Sequence, residues 1–284
     1  MTKNLISRLI VAAIAIPIIL WICYQGGGWL FGLLLVSLVV GAIEFLTNEK
    51  FGWDNPFLWI TTLVIAYIYF LLSGYNIAIL KSLTADFELS NIDLSLIVLV
   101  IFFLLSAMIH AIGKQTPKQL FSSHSRLFWG VTYLSFTYPT VFLIGQGIGD
   151  YNGGDSLMFL FGLLWVGDTA AMGIGSWIGK HKLAPSVSPN KTIEGFIGGI
   201  VGAIAIGILM YFWKFSNMDF IQIIALSIGC SVFGQVGDLV ESMWKRSIGI
   251  KDSSAIIPGH GGVLDRFDSL LFAAPFMYFY LNLL

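Results

Sequence analysis

The chain has 284 residues, of which 57% are hydrophobic and 11% charged, with a formal net charge of −1 and a mean hydropathy of +0.84. Soluble domains carry roughly a quarter charged residues, so this composition excludes an ordinary soluble fold and indicates a polytopic membrane protein. The net charge argues neither for nor against a nucleic acid partner, but there is no basic tail or aromatic-interleaved basic groove to suggest one, and none is expected.

Taken from the N-terminus, Lys3 and Arg8 precede the first apolar run. A cleaved signal peptide is not expected, because another apolar run follows almost at once and no small-x-small site closes the first. Windows of about 20 apolar residues are long enough to cross about 30 Å of hydrocarbon. They fall near 9–24, 28–46, 57–74, 94–112, 127–147, 156–178, 195–213, 219–240 and 264–284. The expected fold class is therefore an all-α polytopic membrane protein of about nine transmembrane helices. The first two windows should form a tight hairpin through Gly26, Gly27 and Gly28. Residues 1–112 group as N-terminal transmembrane helices, 113–155 as a connecting loop and helix, and 156–284 as the C-terminal catalytic region.

Orientation follows from the distribution of positive charge, since Lys and Arg are retained in the cytoplasm. With the N-terminus cytoplasmic, all fifteen Lys and Arg residues except Lys81 and Lys214 fall on the cytoplasmic side. The C-terminus then lies on the opposite side. Windows one to five hold few ionisable groups beyond Glu44 and His110; snorkelling or a local partner is expected for Glu44, and an interfacial place for His110. Trp21, Trp29, Trp53 and Trp59 read as interface anchors. Cys23 and Cys230 lack metal or redox spacing and read as small core residues.

The character changes at window six. Gly167, Ala171, Gly175 and Gly179 form a small-residue stripe, and Gly195, Gly199 and Gly198, Gly202 repeat it in window seven, so close helix packing is expected. A homodimer is a second arrangement that such stripes allow. Asp168 stands beside the first stripe, well inside an apolar window. A carboxylate there costs about 2.5–3.5 kcal/mol on insertion scales, which favours a functional role. Next comes a loop with Lys180, Lys182, Lys191, Ser188 and Thr192 ahead of a helix N-terminus, a combination suited to phosphate. Ser188-Pro189 reads as its turn, with Thr192 or Ser188 capping the following helix.

The stretch from Gly237 to Asp268 concentrates the remaining chemistry, with five of the sixteen acidic residues and four of the fifteen basic ones. Asp238 and Glu241 stand three apart, as do Asp265 and Asp268, so each pair shares a face if the backbone is helical. Carboxylates brought together repel unless a cation sits between them, and oxygen ligands of this kind suit Mg²⁺. Lys245, Arg246, Lys251 and Arg266 supply charge for a polyphosphate. The run Pro258-Gly259-His260-Gly261-Gly262 lets the backbone approach a ligand closely.

These residues resemble the phosphatidate cytidylyltransferase (CDP-diacylglycerol synthase) family. The resemblance is carried by Ser242-x-x-Lys245-Arg246, Lys251-Asp252 and His260-Gly261-Gly262-x-x-Asp265-Arg266-x-Asp268. It extends to Asp168-Thr169-x-Ala171 and to Ser188-Pro189-x-Lys191-Thr192-x-Glu194-Gly195, and so covers roughly the C-terminal half. It implies an enzyme that converts CTP and phosphatidic acid to CDP-diacylglycerol and pyrophosphate with Mg²⁺, in the cell's inner (cytoplasmic) membrane and facing the cytoplasm. A second, monovalent cation is left open. Asp238 and Asp265 would then be the first candidates for metal ligands, with Asp268 close by. Lys245, Arg246, Lys251 and Arg266 would join them in catalysis. Asp168, Lys180, Lys182, Ser188, Lys191, Thr192, Glu194, Ser242, Asp252, His260, Gly261 and Gly262 would contact substrate. Two other classes stay open: a CTP-dependent kinase of a polyprenol or other lipid alcohol, and a cation-coupled transporter using Asp168 and the carboxylate pairs as an ion path.

Overall fold

The computed structural model describes residues 3–75, 90–111, 116–257, 259 and 261–284. Among these, nine helices fall on the nine expected windows. They are α1 (Lys3–Gln25), α2 (Gly27–Asn48), α3 (Pro56–Ser73), α4 (Asn91–Ala111), α5 (Pro117–Gly145), α6 (Gly153–Ile178), α7 (Ile193–Trp213), α8 (Phe220–Ser247) and α9 (Leu264–Leu283). Seven of them, α2 to α8, are long and apolar enough to cross a membrane, so the fold is that of an all-α polytopic membrane protein. In α1 the described side chains form a shorter apolar helix, Ala13–Gln25, while α9 opens on Asp265, Arg266 and Asp268.

One departure from the expected fold bears on the site. The segment between α6 and α7 is an antiparallel hairpin of β1 (Lys182–Ala184) and β2 (Ser188–Thr192), with Lys182 opposite Thr192 and Ala184 opposite Ser188. The turn therefore lies at 185–187, with Val187 N–H donating to Ala184 O at 3.1 Å. Ser188-Pro189, expected to form that turn, is strand instead. Proline's missing donor is harmless on a two-stranded ribbon, where one edge of each strand is unpaired.

The chain divides into two compact units, Met1–Leu30 with Thr140–Leu284, and Phe31–Pro139. In the second, Phe31 stacks on Tyr69 and Tyr75 at centroid separations of 5.2 and 4.3 Å, and Arg126 pairs with Glu49 at 2.9 Å. Glu44 is only 2% exposed, which rules out snorkelling. Lys81 and Lys114 fall outside the described residues, as does the side chain of His110.

The first unit is built around the glycine stripes. A Cβ at Gly195 would lie 2.7 Å from Ala171 O, and one at Gly175 would lie 3.4 Å from the Gly195 Cα. The backbones of α6 and α7 thus touch, as the small-residue pattern predicts. The stripes meet within one chain and so make no case for a second copy. At Gly237 a Cβ would stand 2.6 Å from Asp268 O, so the absence of a side chain there sets how closely α9 approaches α8. Leu157, Phe159, Leu160 and Leu163 of α6 are fully buried, with Cys230 and Leu271. Trp177 and Phe212 are 84% and 76% exposed on the surface left to lipid.

Helix α6 starts where Asn152 accepts a hydrogen bond from Asp155 N at 3.2 Å, and α7 where Thr192 Oγ1 accepts from Gly195 N at 3.1 Å. The antiparallel run of α6 to α9 brings the C-terminal parts of α6 and α8 to the same end as the N-termini of α7 and α9. Gly195→Leu should force the α6–α7 seam apart. Overpacking of this kind costs about 1–3 kcal/mol, and a fall in the thermal unfolding midpoint of the detergent-solubilised chain would register it; Ile197→Leu, on an exposed position of the same helix, should leave the midpoint in place.

Candidate active site

Five aspartates border one cavity at that end of the unit. Asp168 comes from α6, Asp238 from α8, Asp252 from the loop after it, and Asp265 and Asp268 from the first turns of α9, around a space of about 380 Å³ that also takes in Lys245 and Arg266. Their charges act on one another: Asp168 feels Asp238, and Asp268 feels both. The two carboxylate pairs expected from the sequence do converge. Glu241 feels the charges of Asp268 and Asp265. Asp168 lies about 15 Å from the end of α6 at roughly 1.5 Å per residue, so the cavity reaches into the helical layer.

Asp168 and Asp238 also form the wall of a second cavity, of about 570 Å³, whose other sides include Asn190, Lys191, Thr192 and Gln235 with the apolar Met172, Leu183 and Phe196. Lys191 of β2 reaches Asp238 here, Nζ to Oδ2 at 2.6 Å, and its charge also acts on Asp168. The hairpin that carries it is anchored at both ends. Glu194, in the first turn of α7, accepts hydrogen bonds from the backbone N–H groups of Lys180 and His181 at 3.1 and 3.2 Å and meets His181 Nδ1 at 2.6 Å. At the turn, Arg246 Nε donates to Val187 O at 3.3 Å, while its Nη1 donates to Ile250 O at 2.7 Å.

The third cavity, of about 450 Å³, lies over the loop before α9 and shares Asp252 and Arg266 with the first. Lys251, Gly259 and Gly261 line it. Gly261 has φ of +85°, a conformation open to glycine without strain, and a Cβ on it would stand 2.7 Å from Asp265 Oδ2.

Asp265 holds this loop. Its Oδ2 accepts from Ser253 N at 2.8 Å, Ser253 Oγ at 3.0 Å and Gly262 N at 2.8 Å, and its Oδ1 accepts from Lys245 Nζ at 2.6 Å. Lys245 also faces Glu241 Oε1 at 3.2 Å, an ion pair whose approach is not a well-aligned hydrogen bond. These three side chains are nearly buried, at 9% exposure for Lys245, 2% for Glu241 and 5% for Asp265. The triad ties α8 to α9 through the loop between them.

Carboxylates are the hard oxygen donors that Mg²⁺ takes, often one or two at a time with water and substrate phosphate completing the shell. Asp168, Asp238 and Asp268 fit such an ion by donor type, charge and shared cavity. Among the described residues no three His, Cys, Asp or Glu side chains stand close enough to form a full protein cage. Asp265, expected as a ligand, lines the same cavity, and both of its oxygens also accept from protein donors that hold the loop.

The other expected residues divide between the cavities and their supports. Ser242 Oγ donates to Asp238 Oδ1 at 3.3 Å, Gly262 serves Asp265, and Thr192 is both cap and cavity wall. Lys180 and Lys182 are exposed, outside the linings of these three cavities, and Ser188 starts β2. His260 lies outside the described residues. Sequence reasoning passed over Gln235 and Asn190 of the larger cavity. Gln235, whose Nε2 donates to Phe196 O at 3.2 Å, stands three residues before Asp238 on the same helix face, a spacing that could have signalled it.

A family model described as the cytidylyltransferase family matches residues 6–284. A phosphatidate cytidylyltransferase of Staphylococcus haemolyticus (strain JCSC1435) is 49% identical over 121 residues, 43% of this chain and 46% of the relative. Phosphatidate cytidylyltransferases of Staphylococcus epidermidis (strain ATCC 12228 / FDA PCI 1200) and Staphylococcus aureus (strain COL) are 49% and 47% identical over the same length and shares. The chain thus spans about half the length of the curated relatives it matches.

Lys245→Met should leave Glu241 and Asp265 buried without their shared cation. Breaking a buried pair in this way costs about 3–5 kcal/mol. A lower unfolding midpoint should accompany faster amide hydrogen exchange at Ser253 and Gly262; unchanged exchange there would show that the loop is held by other contacts.

Proposed function

The chain belongs to the cytidylyltransferase family, and from that premise we propose that it transfers CMP from CTP to phosphatidic acid, yielding CDP-diacylglycerol and pyrophosphate for phospholipid synthesis. The observation that carries the reading is the meeting of Asp168, Asp238 and Asp268 at one cavity end to end with two others that hold Lys191 on one side and Lys251 and Arg266 on the other. Carboxylates for a divalent ion, with cations on both flanks, suit two phosphate-bearing substrates that repel each other.

Phosphatidate already carries an ionised phosphate, so its oxygen attacks the α-phosphorus of CTP without a strong general base. A new P–O bond forms to the lipid phosphate as the bond from the α-phosphorus to the bridging oxygen breaks. Pyrophosphate leaves with that electron pair. Asp238 and Asp268, with Asp265 and Asp168 at the same cavity, are the carboxylates from which Mg²⁺ would take one or two ligands, and when bound it supplies charge neutralisation to the phosphoryl oxygens. Lys251 and Arg266, which line the adjoining cavity, would neutralise charge on the leaving group. Gly261 keeps the loop close to the ligand, and the Asp265 clamp keeps the loop in place. The protein's work is then chiefly to position two anions and offset their charge, which needs no nucleophilic Ser or His.

The seven long apolar helices make this an integral membrane protein. We further place its active site on the cytoplasmic face of the cell's inner membrane, with the N-terminus on that side, as the distribution of Lys and Arg supports. CTP is then met from the cytosol and phosphatidic acid from the bilayer surface.

Purified protein given CTP labelled at the α-phosphate, phosphatidic acid and Mg²⁺ should form labelled CDP-diacylglycerol with release of pyrophosphate. Free CDP together with a phosphorylated alcohol would instead identify a lipid kinase. Asp238→Asn and Asp268→Asn should each lower kcat by about 100-fold or more with unchanged elution on size exclusion. Asp168→Asn should cost more activity than Glu44→Gln in the same assay, and the reverse order would remove Asp168 from the site.

A further inference from the structure

Two lysines in the first unit pair with site carboxylates, and they are held in different ways. Lys245 is 9% exposed and is gripped from two sides, by Glu241 and Asp265. Lys191 is 27% exposed and holds a single carboxylate, Asp238, itself 36% exposed. A buried pair bound on both sides is fixed. A half-exposed, single pair at 2.6 Å is strong while made, yet either partner can be rehydrated or re-paired when another charge arrives.

Lys191 also stands where its partner has competing uses. Asp238 borders both the aspartate cavity and the larger one, and it fits a divalent cation by donor type. An ammonium and a hard cation at the same Asp238 oxygen exclude each other. Without a counter-charge, Asp168 and Asp238 repel, and Lys191 is the positive group that acts on both. The larger cavity, into which a displaced Lys191 would turn, has apolar sides in Met172, Leu183 and Phe196. An anionic headgroup with acyl chains matches that mixture better than a fully hydrated triphosphate does.

We propose that Lys191 is an exchangeable counter-ion. It neutralises Asp238 in the resting protein, gives up Asp238 when a divalent cation binds there, and then pairs with the phosphate of the lipid substrate in the larger cavity. Cation binding and lipid binding are thereby coupled through one side chain, and by linkage each strengthens the other to the same degree. The lipid half of this proposal rests on the function proposed above; the cation half does not.

The cation half is read with Mn²⁺ as a paramagnetic probe, titrated into the full-length protein in detergent without substrate. Lys191→Met removes the competitor and should tighten Mn²⁺ binding by about tenfold, whereas Lys182→Met, which removes an equal charge from the same hairpin without breaking an ion pair, should change it less than about twofold. Unchanged or weaker binding in Lys191→Met, or equal tightening in Lys182→Met, would overturn the exchange. Lys191→Gln serves as the second variant should the methionine not fold. The lipid half is read with dihexanoyl phosphatidic acid in the presence and absence of Mg²⁺. Wild type should bind it about tenfold more tightly with Mg²⁺, and Lys191→Met should lose most of that difference; a difference that survives the substitution refutes the coupling. If wild type transfers no CMP to phosphatidic acid, the function proposed above fails, while the Mn²⁺ titration still decides whether Lys191 competes for Asp238.

Discussion

Carboxylates gathered at the end of a helical membrane unit need counter-charges close by, and the arrangement of Lys245 between Glu241 and Asp265 is the one on which the others depend. Removing three charged groups from water is costly unless their attraction and hydrogen bonds offset it. Here the lysine is shared, and the remaining acceptors on Asp265 are filled by Ser253 and Gly262. The result is a rigid knot joining the end of α8, the loop and the start of α9. Asp238 lies two helical turns before Lys245 on α8 and Asp268 one turn after Asp265 on α9, so the knot fixes the relation between Asp238 and Asp268 at the cavity wall.

Glycine does on the apolar side what the knot does on the polar side. Direct backbone contact of α6 with α7, and of α8 with α9 at Gly237, brings four helices nearer than side chains of ordinary size would permit. Asp168, Asp238 and Asp268 can then share one cavity although they come from three helices. The hairpin adds the basic partner from outside the helical layer, pinned by Glu194 at its base and Arg246 at its turn.

Most of the helical framework was legible because the apolar windows are long and well separated, and a window of about 20 residues has few other uses. The α6–α7 seam was equally legible, since small residues four apart have little reason to recur except close packing. The hairpin was not, because Ser188-Pro189 carries a strong local turn preference that the pairing of Lys182 with Thr192 overrides. At the site, spacing placed Asp238 with Glu241 and Asp265 with Asp268, and the structure brings both pairs together. Spacing does not say which member of a pair turns toward the cavity and which toward the interior. Glu241 turns inward to Lys245, while Asp238, Asp265 and Asp268 all line the cavity, Asp265 with its oxygens also paired to Lys245 and the loop. Spacing also treats Asp265 and Asp268 alike, and only the hydrogen bonds show that Asp265 holds the loop as well as lining the cavity.

The polar opening of α9 has a further consequence for the lipid around it. Asp265, Arg266 and Asp268 occupy its first turns, and a charged group is costly inside hydrocarbon. Those turns therefore belong at the polar boundary of the layer, and lipid tails meet α9 only from Ser269 onward, where the helix becomes apolar.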